Sequence, residues 1–433
     1  MAELEKKREI FSDDPEIDEF CNDLLTGVRE MKAGIAARCT RVAVPSGDGT
    51  GIRSKVRLTQ KPFVESWAAF RNEKSVYADK TDLIFQLAKD SGKFLLARPG
   101  RFGKTLLISA LESLFQHGVR DFAGLAIEKL WADKTYNVVR LDFSCIAVFS
   151  DLADFERKPE NLLIRSFGKI GFQGKSGTSV TQQLAGWLED LPTRSLVILI
   201  DNFDSPLTAG LNDETLFNRI RAELNAFYAV LKSCDNCLRF LLLTGVMKVG
   251  GSGLFSGLNN LTDLTLSPRF GALLGFTSEE MTGTFSGYLD RARHKLNMPL
   301  DELMLELERR YGGYCFEGGG RVRVFSPESV LSFLSNPDLG FRNFRTMNAD
   351  FSAVLKKYLL DEELLRSIVD NEPQEVRLSA LEDVMDVEDI DALVLLNQAG
   401  CLTIKSVASD GWAELGCPNR EMLDLMTEAL GDS

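Results

Sequence analysis

Histidine is almost absent from this 433-residue chain, which contains only His117 and His294. Ser/His/Asp and Cys/His catalytic sites need an imidazole base, so hydrolases of these classes are not expected. The eight cysteines are scattered, and only Cys234 and Cys237 lie close together in the sequence. A single C-x-x-C pair without a second pair or nearby histidines predicts packed thiols rather than a zinc site.

Long apolar runs and an excess of positive charge are also missing. No stretch approaches the roughly 20 apolar residues that a membrane-spanning helix needs, and the charged first residues do not resemble a signal peptide. These absences predict a cytoplasmic protein with no membrane partner. The formal net charge is −13. Nucleic-acid binding depends largely on Lys and Arg neutralising phosphates, so tight binding of nucleic acid by this chain alone is not expected.

The composition, 44% hydrophobic and 26% charged residues, is that of a globular protein. The length predicts two or three domains. Residues 1–62 are predicted to form a charged helical extension and a basic, glycine-containing linker. Residues 63–275 are predicted to form an α/β domain, residues 276–380 a helical region, and residues 381–433 a winged-helix-like module made of a helix and a hairpin.

Within residues 63–275, apolar runs alternate with amphipathic helical segments, a pattern typical of a parallel sheet covered by helices on both faces. The predicted strands are 93–97, 137–143, 196–200, 239–244 and 261–267. The predicted helices include 105–115 and 217–232. The fold class is therefore predicted to be α/β, with a mainly helical C-terminal region.

Local patterns predict several elements of that C-terminal region. Thr277-x-x-Glu280 is a capping-box pattern that opens a helix expected to continue through Ala292. Ser326-Pro327 is typical of an N-cap followed by the first residue of a helix. The last predicted elements are a helix at 389–399 and strands at 401–407 and 412–415.

The segment after the first predicted strand has the features of a phosphate-binding loop. It reads Arg98-Pro99-Gly100-Arg101-Phe102-Gly103-Lys104-Thr105 and leads into a predicted helix. Backbone N–H groups at such a strand–loop–helix junction bind anions, Lys104 would contact the β/γ-phosphates and Thr105 would ligate magnesium. The match to G-x-x-x-x-G-K-[ST] is incomplete, because Arg98 occupies the first glycine position. The predicted ATP-binding residues are Arg98, Gly100, Arg101, Phe102, Gly103, Lys104, Thr105 and Leu106, and the predicted magnesium ligands are Thr105 and Asp201.

Asp201 ends the apolar strand 196–200 and is the expected partner of a phosphate-binding loop, because an acid at this place holds magnesium through water. In hydrolysing P-loop proteins the next residue is usually Glu, which orients the attacking water. Here it is Asn202, whose amide can position water but is a poor base. Asp204 is a possible substitute if the backbone turns it inward. The pair Asp201-Asn202 therefore predicts ATP binding with slow hydrolysis.

Thr244 ends the next strand, and Lys248 follows it. A polar residue in this position commonly contacts the γ-phosphate or the attacking water, so both are candidates for the catalytic site. The alternative is a simple strand end with a solvated lysine. P-loop switches often complete their site with an arginine from a neighbouring subunit, for which the candidates are Arg221, Arg239 and Arg269.

The order of these motifs resembles that of the bacterial AAA-ATPase-like family, over roughly residues 63–420. Residues 77–81 (YADKT) are similar to the family's Y-V-D-K-T, and residues 98–105 to its R-P-R-R-F-G-K-S loop. Residues 200–204 (IDNFD) are similar to I-D-E-Y-D, and residues 255–263 to F-S-x-L-N-N-L-x-D. The resemblance implies a P-loop ATPase related to archaeal and STAND-type ATPases, which binds ATP and Mg²⁺.

Two departures from the family pattern affect the expected function. Asn202 replaces the family's Glu, which weakens the expectation of hydrolysis. Many relatives continue after a Pro-Asn motif into a restriction-type nuclease domain of the PD-(D/E)xK class, whereas this chain ends at Ser433, shortly after Asn419. We therefore expect the nuclease to be absent from this chain, either because the protein evolved without it or because the chain is truncated.

The expected function is an ATP-binding switch that works with a protein partner or as a homo-oligomer. The resemblance also implies a role in a bacterial defence or mobile-element system. One alternative is a nucleotide-independent scaffold with a degenerate phosphate loop. A further alternative is a DNA-binding regulator that would use the predicted winged module and a basic arm containing Arg41, Arg53, Lys55 and Arg57.

Overall fold

A computed structural model of the chain provides the structure. It describes residues 66–73, 75–149, 152–175, 179–211, 213–233, 235–248, 254–255, 258, 260–345, 362–384 and 391–431. All of them fall within the unit Lys55–Ser433. The predicted N-terminal extension, residues 1–62, lies outside the described residues.

The first part of the described chain alternates helices and strands. Its elements are α1 (Trp67–Asn72), α2 (Thr81–Ala88), β1 (Gly92–Ala97), α3 (Lys104–His117), β2 (Asn137–Asp142), α4 (Leu152–Gly168), α5 (Val180–Glu189), β3 (Leu196–Asp201), α6 (Ser205–Gly210), α7 (Glu214–Ser233), β4 (Leu238–Gly245) and β5 (Leu261–Asp263). This order confirms the predicted α/β domain.

The five strands form one parallel sheet in the order β2-β3-β4-β1-β5. Every residue of β3 and β4 is buried, as expected for central strands covered by helices on both faces. All five predicted strands exist. The last is shorter than predicted, since β5 ends at Asp263, and Leu264 then donates its N–H to Leu95 of β1.

The strand order brings the predicted site residues to one edge of the sheet. From β1 the chain crosses to β2 at the far edge and returns through β3 and β4 to the side of β1. Ligands of open parallel sheets bind beyond the carboxyl ends of the strands, where the strand order reverses. The phosphate-binding loop follows β1, while Asp201 and Thr244 lie at the ends of β3 and β4, so neighbouring strands place them side by side.

The second part of the chain is mainly helical. Its elements are α8 (Ser278–Thr284), α9 (Ser286–Leu296), α10 (Leu300–Tyr311), β6 (Tyr314–Cys315), β7 (Arg323–Val324), α11 (Pro327–Ser335), α12 (Glu362–Val369), β8 (Gln374–Arg377), α13 (Leu378–Glu382), α14 (Ala392–Ala399), β9 (Thr403–Val407), β10 (Trp412–Gly416) and α15 (Arg420–Gly431). None of the helices in the described ranges is both long and apolar enough to cross a membrane.

The predicted starts of α8 and α11 are confirmed. Thr277 and Glu280 form both hydrogen bonds of a capping box, and Pro327 opens α11 after the N-cap Ser326. The prediction of one continuous helix through Ala292 is wrong. The backbone leaves helical geometry at Phe285 (φ −100°, ψ 11°), whose ring is fully buried in the core under these helices, so two helices form instead.

The C-terminal elements have the connectivity of a winged helix. The order is α12, β8, α13, α14, β9, β10, and the three strands form an antiparallel sheet in the order β8-β10-β9. The predicted helix and hairpin are therefore confirmed as α14, β9 and β10, whereas β8 was not predicted. We call residues 362–431, as far as they are described, the winged module.

Two apolar clusters lie beneath these elements. The larger one includes the central sheet and continues into the winged module, through residues such as Leu395, Ile404 and Leu415. The smaller one lies among α8, α9, α10 and α11 and contains Phe285 and Tyr311. The winged module thus packs against the ATPase sheet through a shared core.

Candidate nucleotide-binding site

The loop between β1 and α3 has backbone geometry suited to an anion. Arg101 (φ 65°) and Gly103 (φ 96°) both adopt left-handed conformations, and alternation of handedness forms the concave nests of N–H groups that bind phosphates. Gly103 is also the N-cap of the 14-residue helix α3. The free N–H groups and the positive end of the helix dipole favour negative charge at this point.

Lys104 folds back over this loop. Its Nζ donates to the carbonyl oxygens of Arg98 (2.8 Å) and Pro99 (2.9 Å), and the side chain is buried. Burial lowers the pKa of Lys104 to about 8, although the carboxylates of Asp204 and Asp201 oppose this shift. The ammonium group is therefore held in the mouth of the loop by backbone oxygens, close to two negative charges.

Arg98 points away from the loop's concave side. Its N–H donates to the carbonyl oxygen of Gly245 (3.0 Å). Its buried guanidinium donates to the carbonyl oxygens of Thr265 (2.5 Å) and Phe270 (3.2 Å), and it lies 4.7 Å from the ring centre of Phe316. The structure therefore does not bring the Arg98 side chain to the nucleotide position predicted for it. Instead, Arg98 fastens the start of the loop to the segments that follow β5.

Three other loop residues have different surroundings. Phe102 is buried, with its ring centre 4.9 Å from that of Tyr314, so it anchors the loop in the core. Arg101 is exposed and forms an ion pair with Glu328 at the start of α11. Leu106 is partly buried against the large apolar cluster. These three side chains therefore contact other parts of the protein, and the backbone of the loop and Lys104 are the groups best suited to bind phosphate.

Asp201 and Thr244 meet at the ends of β3 and β4. Thr244 donates its hydroxyl to Oδ1 of Asp201 (2.8 Å), and both side chains are fully buried. Oδ2 of Asp201 is buried without a hydrogen-bond partner among the described residues. Leaving a buried carboxylate oxygen unpaired is costly, which a cation at this position would relieve.

The residues present fit Mg²⁺. The Asp201 carboxylate and the Thr105 hydroxyl, which has no hydrogen bond among the described residues, are oxygen donors, and Mg²⁺ is usually held by one or two such groups together with phosphates and water. The described ranges contain no group of three or more His, Cys, Asp or Glu side chains that could hold a metal. Binding of the ion would therefore depend on oxygens of the nucleotide.

Asn202 and Asp204 are each bonded within the protein. Asn202, in a left-handed conformation (φ 56°), donates its Nδ2 to Oδ1 of Asp142 at the end of β2 (3.0 Å). Asp204 accepts the N–H groups of Val246 (3.0 Å) and Met247 (2.8 Å). Burial raises the pKa of Asp204, against the influence of these N–H groups and of Lys104. Asp204 thus holds the turn after β4.

Lys248 does not reach the phosphate-binding loop. It is fully buried, and its Nζ donates to Oδ2 of Asp263 (2.8 Å) and to the carbonyl oxygens of Leu381 (3.0 Å) and Glu382 (2.6 Å). Its N–H donates to Oε1 of Gln398 (2.7 Å). It is therefore neither the predicted phosphate contact nor a solvated lysine. It ties the end of β4 to α13 and α14 of the winged module.

Two residues far along the chain contact the loop and were not predicted. Arg345 donates to the carbonyl oxygen of Gly100 (3.1 Å) and to the hydroxyl of Tyr314 (3.0 Å). Gly400, at the end of α14, lies so close to Pro99 that a Cβ there would be 2.7 Å from the proline ring. No local pattern indicates either contact, because each joins segments that lie far apart in the chain, so only the fold reveals them.

Arg239 was a candidate to complete the nucleotide site of a neighbouring subunit, but its guanidinium is bonded within its own chain. It is buried at the amino-terminal half of β4, where it donates to the carbonyl oxygens of Ala88 and Asp90 (both 2.9 Å) and pairs with Asp133 (3.1 Å). Arg269 is partly exposed and donates to Oε1 of Gln86 (2.7 Å). Arg239 is therefore not accessible to a second copy of the chain.

Comparison with known proteins agrees with the geometry. A curated relative, an uncharacterized protein in the vnfD 5′ region of Azotobacter chroococcum mcd 1, is 30% identical over 365 residues. The match covers 82% of this chain and 66% of that protein, so the chain spans just under two thirds of its relative's length.

A solved structure of a STAND protein (signal transduction ATPase with numerous domains) with a tetratricopeptide repeat sensor, from Pyrococcus horikoshii, also matches. The match covers 82% of this chain and 43% of that chain, with 14% identity and a TM-score of 0.26, too low to support any argument about domain arrangement or function. Residues 63–255 match the family model described as predicted AAA-ATPase. With its phosphate-binding loop, its terminal strand aspartate and its parallel sheet, this part of the chain is a P-loop ATPase domain of the AAA-ATPase-like family.

Proposed function

We propose that this protein is an ATP-binding molecular switch that depends on magnesium and hydrolyses ATP slowly. One observation carries the proposal. The fully buried Asp201 leaves one carboxylate oxygen unpaired at the sheet edge where Lys104 lies in the mouth of the phosphate-binding loop. A decayed site would be expected to lose such costly groups, because a buried unpaired carboxylate destabilises the fold unless a ligand uses it.

Nucleotide binding would use groups that are already in place. The N–H groups of the loop and of the first turn of α3 would donate to the β- and γ-phosphates. Lys104 would turn part of its hydrogen bonding from the carbonyl oxygens of Arg98 and Pro99 to phosphate oxygens. Thr105 and Asp201 would hold Mg²⁺, which when bound supplies positive charge against the phosphate oxygens.

The slow hydrolysis in this proposal follows from the residues beside Asp201. Asn202 stands where hydrolysing relatives have Glu, and Asp204 is occupied by the N–H groups of Val246 and Met247. The residue directly after Asp201 therefore carries an amide, which is too weak a base to activate water. A slow chemical step would keep ATP bound for a long time, and a long-lived bound state is what a switch requires.

The winged module and Arg345, which precedes it in the chain, offer a route by which the nucleotide state could be sensed. Gly400 packs against Pro99, and Arg345 donates to the carbonyl oxygen of Gly100. A shift of the loop on binding phosphate would alter both contacts. Interfaces of this kind have discrete packing arrangements and convert small shifts into larger ones, which supports a switch rather than a simple ATP store.

The wider setting of the proposal rests on the family resemblance. We propose a cytoplasmic protein that works with a protein partner or by self-association, in a bacterial defence or mobile-element system. A DNA-binding regulator is a second candidate, which the winged-helix connectivity of residues 362–431 favours. The net charge of −13 weighs against it.

Calorimetric titration of the full chain with ATP and magnesium tests the proposal. The wild-type protein should bind ATP, and Lys104→Ala should lose binding, because the side chain that contacts the phosphates is gone. Lys129→Ala, which removes an exposed lysine, is the matched control and should bind as the wild type does. If the wild-type protein does not bind nucleotide, the switch is excluded, and the scaffold and the DNA-binding regulator are the hypotheses that remain.

A further inference from the structure

We propose that Asp142 is a positioning residue for ATP hydrolysis, and that it acts through Asn202. In this arrangement, Asp142 orients and polarises the Asn202 amide, and the amide oxygen takes the place of the usual carboxylate in orienting the attacking water. The inference deepens the proposed function and rests on it. It explains how a chain without Glu after Asp201 retains slow turnover rather than none.

The hydrogen bond between the two side chains fixes the direction of the amide. Asn202 donates its Nδ2 to Oδ1 of Asp142 across 3.0 Å. An ionised carboxylate can only accept, so the amide nitrogen must be the atom that faces Asp142. The amide group is planar, and its Oδ1 therefore points away from Asp142. Among the described residues, Oδ1 of Asn202 has no hydrogen-bond donor, so it is available to a water molecule.

The sheet register places this pair beside the predicted metal ligand. β2 and β3 are parallel neighbours, and Asp142 lies directly opposite Asp201 in their register. Oδ1 of Asp142 also accepts the N–H of Ser144 (3.0 Å), which restrains rotation of the carboxylate. The unpaired Oδ2 of the fully buried Asp201 is a second sign that a ligand belongs at this edge.

The negative charge of Asp142 does more than hold the amide in place. A hydrogen bond to a charged acceptor is roughly twice as strong as one between neutral groups. Donation to that charge also polarises the amide and makes its oxygen a better acceptor, as in other chains of hydrogen bonds. In other P-loop hydrolases, one Glu both orients the water and supplies the negative charge. Here Asn202 would orient the water and Asp142 would supply the charge, which lies further from the water than the carboxylate of Glu would.

The balanced step is as follows. The water oxygen forms a bond to the γ-phosphorus, and the bond from that phosphorus to the bridging oxygen breaks, its electron pair leaving with ADP. The proton lost by the water ends on the released phosphate, because an amide oxygen is too weak a base to keep it. Asp142 and Asn202 are unchanged after turnover. Water is oriented but not deprotonated by the protein, which agrees with a slow rate.

This arrangement predicts an unusual response to exchange of the two side chains. Asn202→Glu alone would place a carboxylate against that of Asp142, and neighbouring like charges disfavour each other's ionised form. The paired exchange, Asp142→Asn with Asn202→Glu, restores a donor and an acceptor and moves the charge next to the water. The paired variant should therefore be faster than either single variant.

The experiment measures ATP affinity and single-turnover hydrolysis for the full chain and its variants. Asp142→Ala should keep the wild-type affinity within about twofold and slow hydrolysis by about tenfold or more. This is less than the roughly 10²–10⁴-fold of a group that acts directly on the water, because Asp142 acts through Asn202. Asp142→Asn can still accept from both Asn202 and Ser144, so its rate should lie between those of the Ala variant and the wild type. The paired variant should exceed the wild type by about tenfold or more. Asp190→Asn, at an exposed carboxylate that ends α5, is the control.

The outcomes separate this inference from the proposed function. Failure of the wild type to bind ATP would overturn both. Binding with an unchanged hydrolysis rate in Asp142→Ala would overturn only the role of Asp142. The same conclusion would follow if Asn202→Glu alone were as fast as the paired variant. ATP binding by the wild type without any turnover would overturn both the role of Asp142 and the slow hydrolysis of the proposed function, and would leave only ATP binding. Thermal unfolding of each variant shows whether the fold is kept, and the paired variant tests the inference even if Asp142→Ala is unstable.

Discussion

The ammonium nitrogen of Lys104 lies 2.8 Å from the carbonyl oxygen of Arg98, six residues earlier on the same loop. The lysine thus closes the phosphate-binding loop on itself. Because this ammonium is buried, its pKa falls to about 8, in spite of the nearby Asp204 and Asp201. The positive charge of Lys104 is therefore lost only slightly above neutral pH.

ATP affinity should consequently decrease with rising pH. Phosphate binds the charged form of Lys104, which dominates at pH 7 and becomes the minor form above pH 8. The dissociation constant should increase by up to about tenfold between pH 8 and pH 9, and binding near pH 8 should take up a proton. Calorimetry at pH 7, 8 and 9 in buffers of different ionisation enthalpy measures both effects. Lys104→Arg, which stays charged, should show a flat profile if it binds; a flat wild-type profile would contradict the prediction.

Lys248→Met should destabilise the fold without a direct effect on the nucleotide. The change removes the ammonium group that donates to Oδ2 of Asp263 and to the carbonyl oxygens of Leu381 and Glu382, and leaves these three oxygens without that donor. The free energy of unfolding should fall by about 2–4 kcal/mol, as measured by urea denaturation. ATP affinity of the folded variant should stay within about twofold of the wild type. Lys232→Met, at an exposed position of α7, is the control. Lost affinity at full stability would show instead that Lys248 contacts phosphate.

Arg345→Gln should weaken ATP binding from outside the ATPase domain. The variant loses the hydrogen bonds to the carbonyl oxygen of Gly100 and to Tyr314, so the loop must be ordered at the time of binding. Affinity should fall by about threefold to tenfold, since ordering a restrained segment costs binding free energy. Arg342→Gln, which alters a nearby arginine bonded to Leu339, serves as the matched control. Equal affinities for the two variants would mean that Arg345 does not support the loop.

DNA binding should be weak and strongly dependent on salt. The chain has a formal net charge of −13, and the affinity of proteins for DNA comes mainly from contacts between cations and phosphates. Fluorescence anisotropy with a labelled duplex should show binding at low salt that is largely lost by about 200 mM. Tight binding that persists at that salt concentration would favour the regulator over the switch.

The sequence was most informative where one local property decides the structure. The centres of β3 (residues 196–200) and β4 (residues 240–243) are apolar throughout, as expected for strands covered on both faces. The motif Gly103-Lys104-Thr105 follows the apolar run of β1, and this local sequence alone identifies it as a phosphate-binding loop. The short strand β8, in contrast, has the residues Gln374, Glu375, Val376 and Arg377, with a single apolar side chain and therefore no visible pattern.

The sequence does not predict the contacts of side chains whose partners lie far away along the chain. Lys248 was considered either as a phosphate contact or as a solvated lysine, and its burial depends on Leu381, Glu382 and Gln398. Arg98 occupies a glycine position of the motif, and nothing local shows that its side chain turns toward Thr265 rather than the nucleotide. In each case the deciding contact is made by tertiary packing.

The close approach of Gly400 to Pro99 has a consequence for genetic screens. Gly400 has a left-handed backbone (φ 84°), and a Cβ there would lie 2.7 Å from the Pro99 ring. Any other residue at position 400 must therefore strain its own backbone and displace the start of the phosphate-binding loop. In a random mutagenesis experiment, substitutions at Gly400 should behave like substitutions in the loop itself. A search for inactive variants should therefore find substitutions at Gly400, in the winged module, as well as substitutions in the phosphate-binding loop.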